Sequence, residues 1–380
     1  MELKKKIRAE FSSRFGGEGT LYASAGRINL IGEHTDYNGG FVFPGAIDKV
    51  IMAEIRPNGT PTVNVYSVDL DETASFGLNE ADMPEQAWAR YIFGVCREVE
   101  KRGGRVEGFD AVFGGNVPLG AGLSSSAALE SCFAFAINNL FNSDAIDKFE
   151  LARIGQSTEH NYCGVNCGIM DQFASVFGRK GNLMRLDCRS MEYEYFPFAP
   201  TSHRLILVDS RVKHELADSP YNKRRESCER VARRLGIATL RDASLDDLNA
   251  VKSDITAEDY MRAKFVIEEK ERVLAVCDAL QKGDYATVGE KMYQTHEGLS
   301  KDYEVSCEEL DYLVEIARRC GVTGSRIMGG GFGGCTINLV PDAVHDSFVE
   351  TACREFNARY GHEPKVYDVV ISDGARKVEE

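Results

Sequence analysis

Three polar side chains, Glu33, His34 and Asp36, follow directly after an apolar run within the segment Gly26–Gly40. Carboxylates accept hydrogen bonds from neighbouring hydroxyl groups, and an imidazole can donate or accept one more. This set of groups therefore suits a sugar. Two alternatives stay open: a metal site, although adjacent positions on one short loop rarely reach a single ion, and a polar loop that only caps the strand.

A glycine- and serine-rich loop lies in the segment Asn116–Glu130, between an apolar run at Phe109–Phe113 and an apolar-periodic stretch that ends at Phe141. This pattern predicts a strand, a loop and a helix. The glycines free the backbone, the serines offer hydroxyls and helix caps, and the orphan N–H groups of a helix start attract an anion such as phosphate. From this segment alone, a capped helix after a tight turn explains the pattern equally well.

Two further carboxylates are ambiguous in the sequence. Asp171 lies at the apolar start of a predicted helix, and Gly168 before it allows another group to approach closely. Asp171 can orient a hydroxyl nucleophile or accept its proton, or it can simply interact with the helix dipole. Glu159 has no distinguishing pattern, and a solvated surface glutamate explains it equally well.

A run of glycines, Gly329–Gly334, formally contains the pattern G-x-G-x-x-G. The apolar run after it predicts a strand, whereas the dinucleotide-binding fingerprint opens a helix. The chain also lacks the H-R-D and D-F-G motifs of protein kinases and the G-K-[ST] of a Walker A loop. We therefore expect this glycine backbone to pack closely against a ligand or another loop.

Hydrophobic periodicity predicts the elements that must position these groups. Helices are predicted at 2–15, 86–102, 146–160, 169–178, 220–236, 256–302 (with a break near 283–284), 308–320 and 343–359. Strands are predicted at 28–31, 50–55, 63–68, 109–113, 203–209, 336–340 and 365–371. The irregular mixture of strands and helices is typical of an α+β protein. Periodicity lapses over 190–204, where we place a boundary between domains 1–195 and 196–380.

Bulk properties narrow the classes of function. A chain of 380 residues exceeds the size of one hydrophobic core and should form two domains. Its formal charge of −14 argues against a general binder of nucleic acid or anionic membranes. Neither a signal peptide nor a run of about 18 apolar residues occurs. The eleven cysteines are scattered without a C-x-x-C pair, which favours free thiols in a reducing cytoplasm.

Taken together, the motifs resemble those of the galactokinases, a family within the GHMP kinases. Gly26–Tyr37 resembles the galactokinase signature, Pro118–Ala128 the phosphate loop of the wider superfamily, and Gly329–Gly334 its third, glycine-rich motif. The resemblance continues through Asn166–Gln172 and Ser219–Arg225 and covers essentially the whole chain. Only the first motif is specific to galactokinases and their close relatives.

The resemblance implies phosphorylation of α-D-galactose at its anomeric C1 hydroxyl by ATP. It implies that Asp171 orients that hydroxyl or accepts its proton, and that Arg27 stabilises charge beside it. The implied sugar-binding positions, of which Asp36 and Tyr221 lie near the hydroxyls that distinguish galactose, are Glu33, His34, Thr35, Asp36 and Tyr221. The implied triphosphate loop is Gly120, Ala121, Gly122, Leu123, Ser124, Ser125 and Ser126. The implied Mg²⁺ ligands are Ser126 and Glu159.

The resemblance also implies a two-domain GHMP-kinase-type α+β fold. A mixed-sheet amino-terminal domain would pack against an α+β carboxy-terminal domain, with the active site in the cleft between them. Galactose and ATP are the expected partners of a cytoplasmic monomer, with no nucleic acid or membrane. The alternatives are a kinase for N-acetylgalactosamine or L-arabinose, and a catalytically inactive sensor of sugar and ATP. Retention of Arg27, Ser126, Glu159 and Asp171 argues against the sensor.

Overall fold

The computed structural model describes residues 2–118, 120–212 and 220–379. Leu119 of the glycine- and serine-rich loop and Ser219 of the segment Ser219–Arg225 therefore lie outside the described residues. Among the described helices, none is both long enough and apolar enough to cross a membrane.

The described residues contain eleven α-helices. Their bounds are α1 (Glu2–Phe15), α2 (Ala87–Lys101), α3 (Ser125–Phe141), α4 (Lys148–Thr158), α5 (Met170–Phe177), α6 (Pro220–Leu235), α7 (Leu245–Ala250), α8 (Ala257–Gln281), α9 (Tyr285–Lys301), α10 (Glu308–Arg319) and α11 (His345–Tyr360). The predicted helices are thus confirmed to within a few residues, including the break at Gly283, whose φ of +70° suits a helix end.

The described strands form three sheets. Their bounds are β1 (Thr20–Asn29), β2 (Phe41–Val42), β3 (Pro44–Pro57), β4 (Thr62–Ser67), β5 (Glu72–Gly77), β6 (Phe109–Gly115), β7 (Asn182–Asp187), β8 (Tyr193–Pro197), β9 (His203–Asp209), β10 (Gly324–Ile327), β11 (Cys335–Pro341), β12 (Lys365–Val369) and β13 (Arg376–Lys377). The sheet orders are β13-β1-β3-β6-β4-β5, β10-β11-β9-β12 and β2-β7-β8.

The six-stranded sheet is mixed, because β4 and β6 run parallel while its other neighbours pair antiparallel. The four-stranded sheet is antiparallel throughout. Helices and strands alternate irregularly, so the predicted α+β class with a mixed amino-terminal sheet is confirmed.

One buried apolar core joins the two halves of the chain. Phe133 of α3 belongs to the same cluster as Val273 of α8 and Ile337 of β11. At the end of the chain, β13 returns to the amino-terminal sheet and pairs with β1 at Tyr22 and Ala23. The domain boundary between 1–195 and 196–380 stays a prediction. Because β13 pairs with β1, the six-stranded sheet contains residues from the end of the chain as well as from its beginning.

Several regions differ from the pattern-based expectation. Strands β2, β5 and β13 and helix α7 were not predicted. The predicted strand 28–31 overlaps the end of a longer strand, β1, whose central residues, 23–26, are small and buried. Strands β7 and β8 were not expected over 182–197, because their alternation is masked by charged pairs such as Arg185 and Glu194, which join across the strands at 2.9 Å. Strand β10 was missed because it is short and contains the fully buried Arg326.

Candidate active site

The loop between β6 and α3 turns through three left-handed positions before the helix begins. Gly120, Gly122 and Ser124 have φ values of +75°, +72° and +55°. The expected serine cap is wrong: Ser124 occupies the N-cap position but makes no side-chain cap hydrogen bond. Its Oγ instead donates to Asp171 Oδ2. No serine hydroxyl therefore competes from the cap position for the first N–H groups of α3, which can interact with an anion.

Strand β1 carries Arg27 directly behind this loop. Gly26 makes the approach possible, since a Cβ there would lie 2.8 Å from the Leu123 carbonyl oxygen. The Arg27 backbone N–H donates to the same carbonyl at 3.1 Å, and its Nη1 donates to the carbonyl of Gly122. Arg27 is only 4% exposed, so the guanidinium is a buried anchor for the loop.

The guanidinium of Arg27 also binds Asp171 in a bidentate pair. Nε donates to Oδ1 at 2.7 Å and Nη2 donates to Oδ2 at 2.8 Å. Burial acts to lower the pKa of Arg27, but the charges of Asp171, Glu33 and Asp36 outweigh it, so the pKa is raised and the cation is favoured. Asp171 lies in the first turn of α5, with its side chain 28% exposed. It can therefore meet a ligand while its orientation is fixed.

A second buried arginine, Arg326, fixes Glu33. Arg326 Nη2 donates to Glu33 Oε1 at 3.1 Å, and the backbone N–H of Gly329 donates to the same oxygen at 3.0 Å. Arg326 also donates to the carbonyls of Asn29, Leu30 and Ile327. Nothing in the sequence pattern singled out Arg326; the only signal was a charged residue just before the glycine run.

His34 is held in a left-handed conformation at φ +60° within an aromatic cluster. Its Nδ1 lies 2.8 Å from Tyr37 Oη, and its ring centroid lies 4.9 Å from that of Tyr303 and 5.3 Å from that of Tyr221. Burial, reinforced by the charges of Arg224 and Arg326, lowers the pKa of His34 to about 3. The ring is therefore neutral, and its buried Nε2 has no hydrogen-bond partner among the described residues.

Asp36 and Gly168 fit together closely. A Cβ at Gly168 would lie 1.7 Å from Asp36 Oδ2, so only glycine leaves room for this carboxylate. The expectation that Gly168 permits a close approach is confirmed, and the approaching group is Asp36. Burial, together with the charges of Asp171 and Glu33, raises the pKa of Asp36 to about 7.

Ser126 and Glu159 meet beside the start of α3, where Ser126 Oγ donates to Glu159 Oε1 at 2.8 Å. Glu159 begins a π-helical turn (Glu159–Cys163) after α4, a distortion often found at functional sites. It is 6% exposed, so the surface interpretation of Glu159 is wrong. Burial, aided by the charge of Asp171, raises its pKa to about 7.

The residues beside Glu159 fit Mg²⁺ only as a shared site. No group of three or more histidine, cysteine, aspartate or glutamate side chains in the described parts of the chain could hold a metal by itself. One carboxylate and one hydroxyl match the preference of Mg²⁺ for a few protein oxygens, with water and phosphate oxygens completing the shell.

The glycine run, Gly329–Gly334, was expected to pack closely against a ligand or another loop, and it packs against the loop before α3. A Cβ at Gly329 would lie 3.4 Å from the Gly122 carbonyl oxygen, and one at Gly334 would lie 3.4 Å from the backbone of Ala121. A Cβ at Gly331 would lie 2.2 Å from the Val305 carbonyl oxygen, so this position has room only for glycine. Gly329 and Gly330 also line the cavity that contains the site residues, so the run both contacts the loop before α3 and borders the site.

A cavity of about 220 Å³ collects most of the predicted site residues. Its lining includes Arg27, Glu33, His34, Asp36, Gly120, Gly122, Leu123, Ser124, Ser125, Ser126, Glu159, Asp171 and Tyr221. The structure does not bring Thr35 and Ala121 to this lining. The Thr35 hydroxyl lies 2.9 Å from the Gly32 carbonyl oxygen and 2.6 Å from that of Phe41, so it closes its own loop.

Comparison with known proteins identifies relatives of the whole chain. The model of the GHMP kinases N terminal domain matches residues 90–179, that of the GHMP kinases C terminal matches 277–359, and the galactokinase galactose-binding signature matches 9–57. Galactokinase of Thermotoga petrophila is 40% identical over 354 residues, covering 93% of this chain and 98% of that protein. Galactokinase of Fusobacterium nucleatum is 39% identical over 376 residues, covering 96% of each.

Solved structures agree with these relatives. The crystal structure of Lactococcus lactis galactokinase complexed with galactose has a TM-score of 0.92 and 32% identity, with 98% of each chain covered. The crystal structure of L. major mevalonate kinase in complex with R-mevalonate is 18% identical with a TM-score of 0.65, covering 95% of this chain and 97% of that one, which shows a shared fold alone.

The buried carboxyl of Asp36 predicts a pH-dependent stability. Its pKa is about 7 in the folded protein against an ordinary 3.8, so the folded state binds the proton more tightly. The free energy of unfolding therefore falls as pH rises between these values. We expect Asp36→Asn to be more stable relative to the unsubstituted protein at pH 8 than at pH 5, as measured by urea unfolding. The exposed Asp278→Asn serves as control, and an equal difference at both pH values would contradict the prediction.

Proposed function

The chain belongs to the galactokinase family of the GHMP kinases, and we propose that it phosphorylates α-D-galactose with Asp171 and Arg27 at the reacting centre. ATP is the co-substrate that the family implies, and the products are galactose 1-phosphate and ADP. The observation that carries the assignment of residues is the bidentate pair of Arg27 and Asp171. This pair lines the same cavity as residues of the sugar loop (33–36) and of the phosphate loop.

Galactose would be held by groups of complementary hydrogen-bonding character. Glu33, fixed by Arg326, accepts hydrogen bonds from hydroxyls. The neutral His34 offers its partnerless Nε2. Asp36 and Tyr221 would contact the hydroxyls that distinguish galactose. Thr35 would act indirectly, by holding the loop closed.

Asp171 is suited to the anomeric hydroxyl because a sugar hydroxyl is too weak an acid to ionise freely. As the bond from the C1 oxygen to the γ-phosphorus forms and the bond to the ADP oxygen breaks, the hydroxyl proton would pass to Asp171. Arg27 and Ser124 fix the orientation of the carboxylate. Positioning of this kind can account for several kcal/mol of the barrier.

The triphosphate would lie on Gly120–Ser126, where the start of α3 presents N–H groups and the positive end of its dipole. Ser126 and Glu159 would hold Mg²⁺. When bound, the ion supplies positive charge to the phosphate oxygens. Burial and the charge of Asp171 raise the pKa of Glu159 to about 7, although Ser126 and Arg27 act to lower it, and a divalent cation at this carboxylate would favour its ionised form. We further propose that the enzyme is a cytoplasmic monomer.

A sugar panel tests the activity. In an assay that couples ADP release to a second reaction, we expect kcat/KM for galactose to exceed that for its C4 epimer glucose by at least ~10²-fold, since a site built to bind hydroxyls rejects misplaced ones strongly. Faster turnover of N-acetylgalactosamine or L-arabinose would assign another substrate. Binding of galactose and ATP without ADP release would indicate a sensor.

Substitution of the reacting centre tests the mechanism. We expect Asp171→Asn to lower kcat by roughly 10²–10⁴-fold, the range for loss of a general base. Its galactose KM should change little, because the other proposed sugar contacts, those of Glu33, His34, Asp36 and Tyr221, are kept. Arg27→Ala should lose comparable activity. Asp278→Asn, on an exposed face of α8, controls for the substitution itself, and near-normal turnover of a folded Asp171→Asn would refute the role of Asp171.

The metal ligands are tested by nucleotide binding as well as by turnover. Titration calorimetry of ATP with and without Mg²⁺ should show that Glu159→Gln and Ser126→Ala weaken the Mg²⁺-dependent part of the affinity, by about tenfold or more if one ligand of the ion is lost. The exposed Glu350→Gln should bind like the unsubstituted protein. If Mg²⁺ enhanced ATP binding equally in all variants, these two residues would not be its ligands.

A further inference from the structure

Two buried polar side chains lie directly beside the proposed active-site residues without reaching the cavity. Glu130 follows Ser126 by one turn of α3, and Gln172 follows Asp171 in α5. Both side chains belong to residues that are 0% exposed. Gln172 Nε2 donates to Glu130 Oε2 at 3.1 Å, which joins the helix of the phosphate loop to the helix of the proposed base.

A third helix, α4, meets this pair at Gly155. A Cβ at Gly155 would lie 2.8 Å from Gln172 Cγ and 3.1 Å from Glu130 Oε2. Glycine therefore lets both side chains pack against the α4 backbone. Because α4 leads directly into Glu159, the three helices that meet at this pair are those that place Ser126, Glu159 and Asp171.

As a packing contact alone, the Glu130–Gln172 pair would stabilise the fold less than two apolar side chains would. Glu130 Oε1 and Gln172 Oε1 are buried and have no hydrogen-bond partner among the described residues, and each such orphan acceptor destabilises the fold. Two apolar side chains of the same size would fill this space without that cost. Burial, with the charges of Glu159 and Asp171, also raises the pKa of Glu130 well above its usual range, so that the neutral acid is favoured.

We propose that Glu130 and Gln172 form a positioning clamp, which sets Asp171 relative to Ser126 and Glu159 without touching either substrate. The inference rests on the proposed function, since it assigns those three residues to one reacting centre. A hydrogen bond is directional, so the Gln172–Glu130 bond restricts the rotation of α5 relative to α3. Apolar packing alone would restrict this rotation less.

The kinetics of Glu130→Gln and Glu130→Leu distinguish a positioning hydrogen bond from simple packing at this site. Glu130→Gln keeps the size, can accept the Gln172 bond and can donate to the orphan Gln172 Oε1, so we expect kcat within about threefold of normal. Glu130→Leu keeps most of the volume but removes the bond, and should lower kcat about 10–100-fold, since misplacement by about 1 Å can cost 10²-fold. Its galactose KM should stay within about threefold, because the sugar loop lies on other elements.

A buried glutamate outside the cavity supplies the matched control. Glu54 of β3 is also 0% exposed and accepts hydrogen bonds from Arg8 and from the Gly19 backbone. Glu54→Gln should leave both kcat and the galactose KM unchanged. Urea unfolding of each variant shows how much stability is lost, so that kinetic comparisons are made on folded protein.

Amide hydrogen exchange in α5 gives a readout that needs no activity. We expect faster exchange over 170–177 in Glu130→Leu and normal exchange in Glu130→Gln. The clamp is refuted if Glu130→Leu has normal kcat or normal exchange, if Glu130→Gln is as impaired as Glu130→Leu, or if kcat and galactose affinity fall together. Absence of galactose-dependent ADP release from the unsubstituted protein would instead defeat the proposed function, and the exchange results would remain interpretable.

Discussion

The buried guanidinium of Arg27 is the constraint on which the rest of the site depends. A buried charge is tolerated only when opposite charge and hydrogen-bond acceptors surround it. Arg27 obtains these from Asp171, 144 positions away in the sequence, and from the Gly122 carbonyl. Strand β1, the loop before α3 and helix α5 must therefore adopt one mutual arrangement, and this arrangement places the Asp171 carboxylate beside the start of α3.

Arg326 is a second buried cation that needs acceptors from distant parts of the chain. Its guanidinium binds the carbonyls of Asn29 and Leu30 and the carboxylate of Glu33. The glycine run that follows Arg326 then packs against Gly122. The two arginines thus hold the sugar loop and the phosphate loop in fixed relation, although they lie in opposite halves of the chain.

The cavity has an excess of carboxylates over cations. Burial raises the pKa of both Asp36 and Glu159 to about 7, and the negative charge of Asp171 adds to this effect. Hydroxyl donors and a cation would each stabilise the ionised form of a buried carboxylate, by hydrogen bonding in the first case and by charge in the second. Sugar hydroxyls can donate to Asp36, whereas a divalent ion beside Glu159 favours its ionised form. The charges that line the cavity therefore favour bound groups that supply hydrogen-bond donors or positive charge.

The sequence by itself determined the local pieces. The spacing of Glu33, His34 and Asp36 indicated a sugar loop, the glycine- and serine-rich loop before α3 indicated an anion site, and periodicity placed the helices within a few residues, because each depends on neighbours in the chain. Tertiary structure decided everything that depends on distant neighbours. Glu159 is buried and bonded to Ser126 of α3, Ser124 binds Asp171 instead of capping its helix, and Gly168 makes room for a carboxylate 132 positions earlier in the chain. Burial and charge compensation are properties of the packed chain, so no local pattern could specify them.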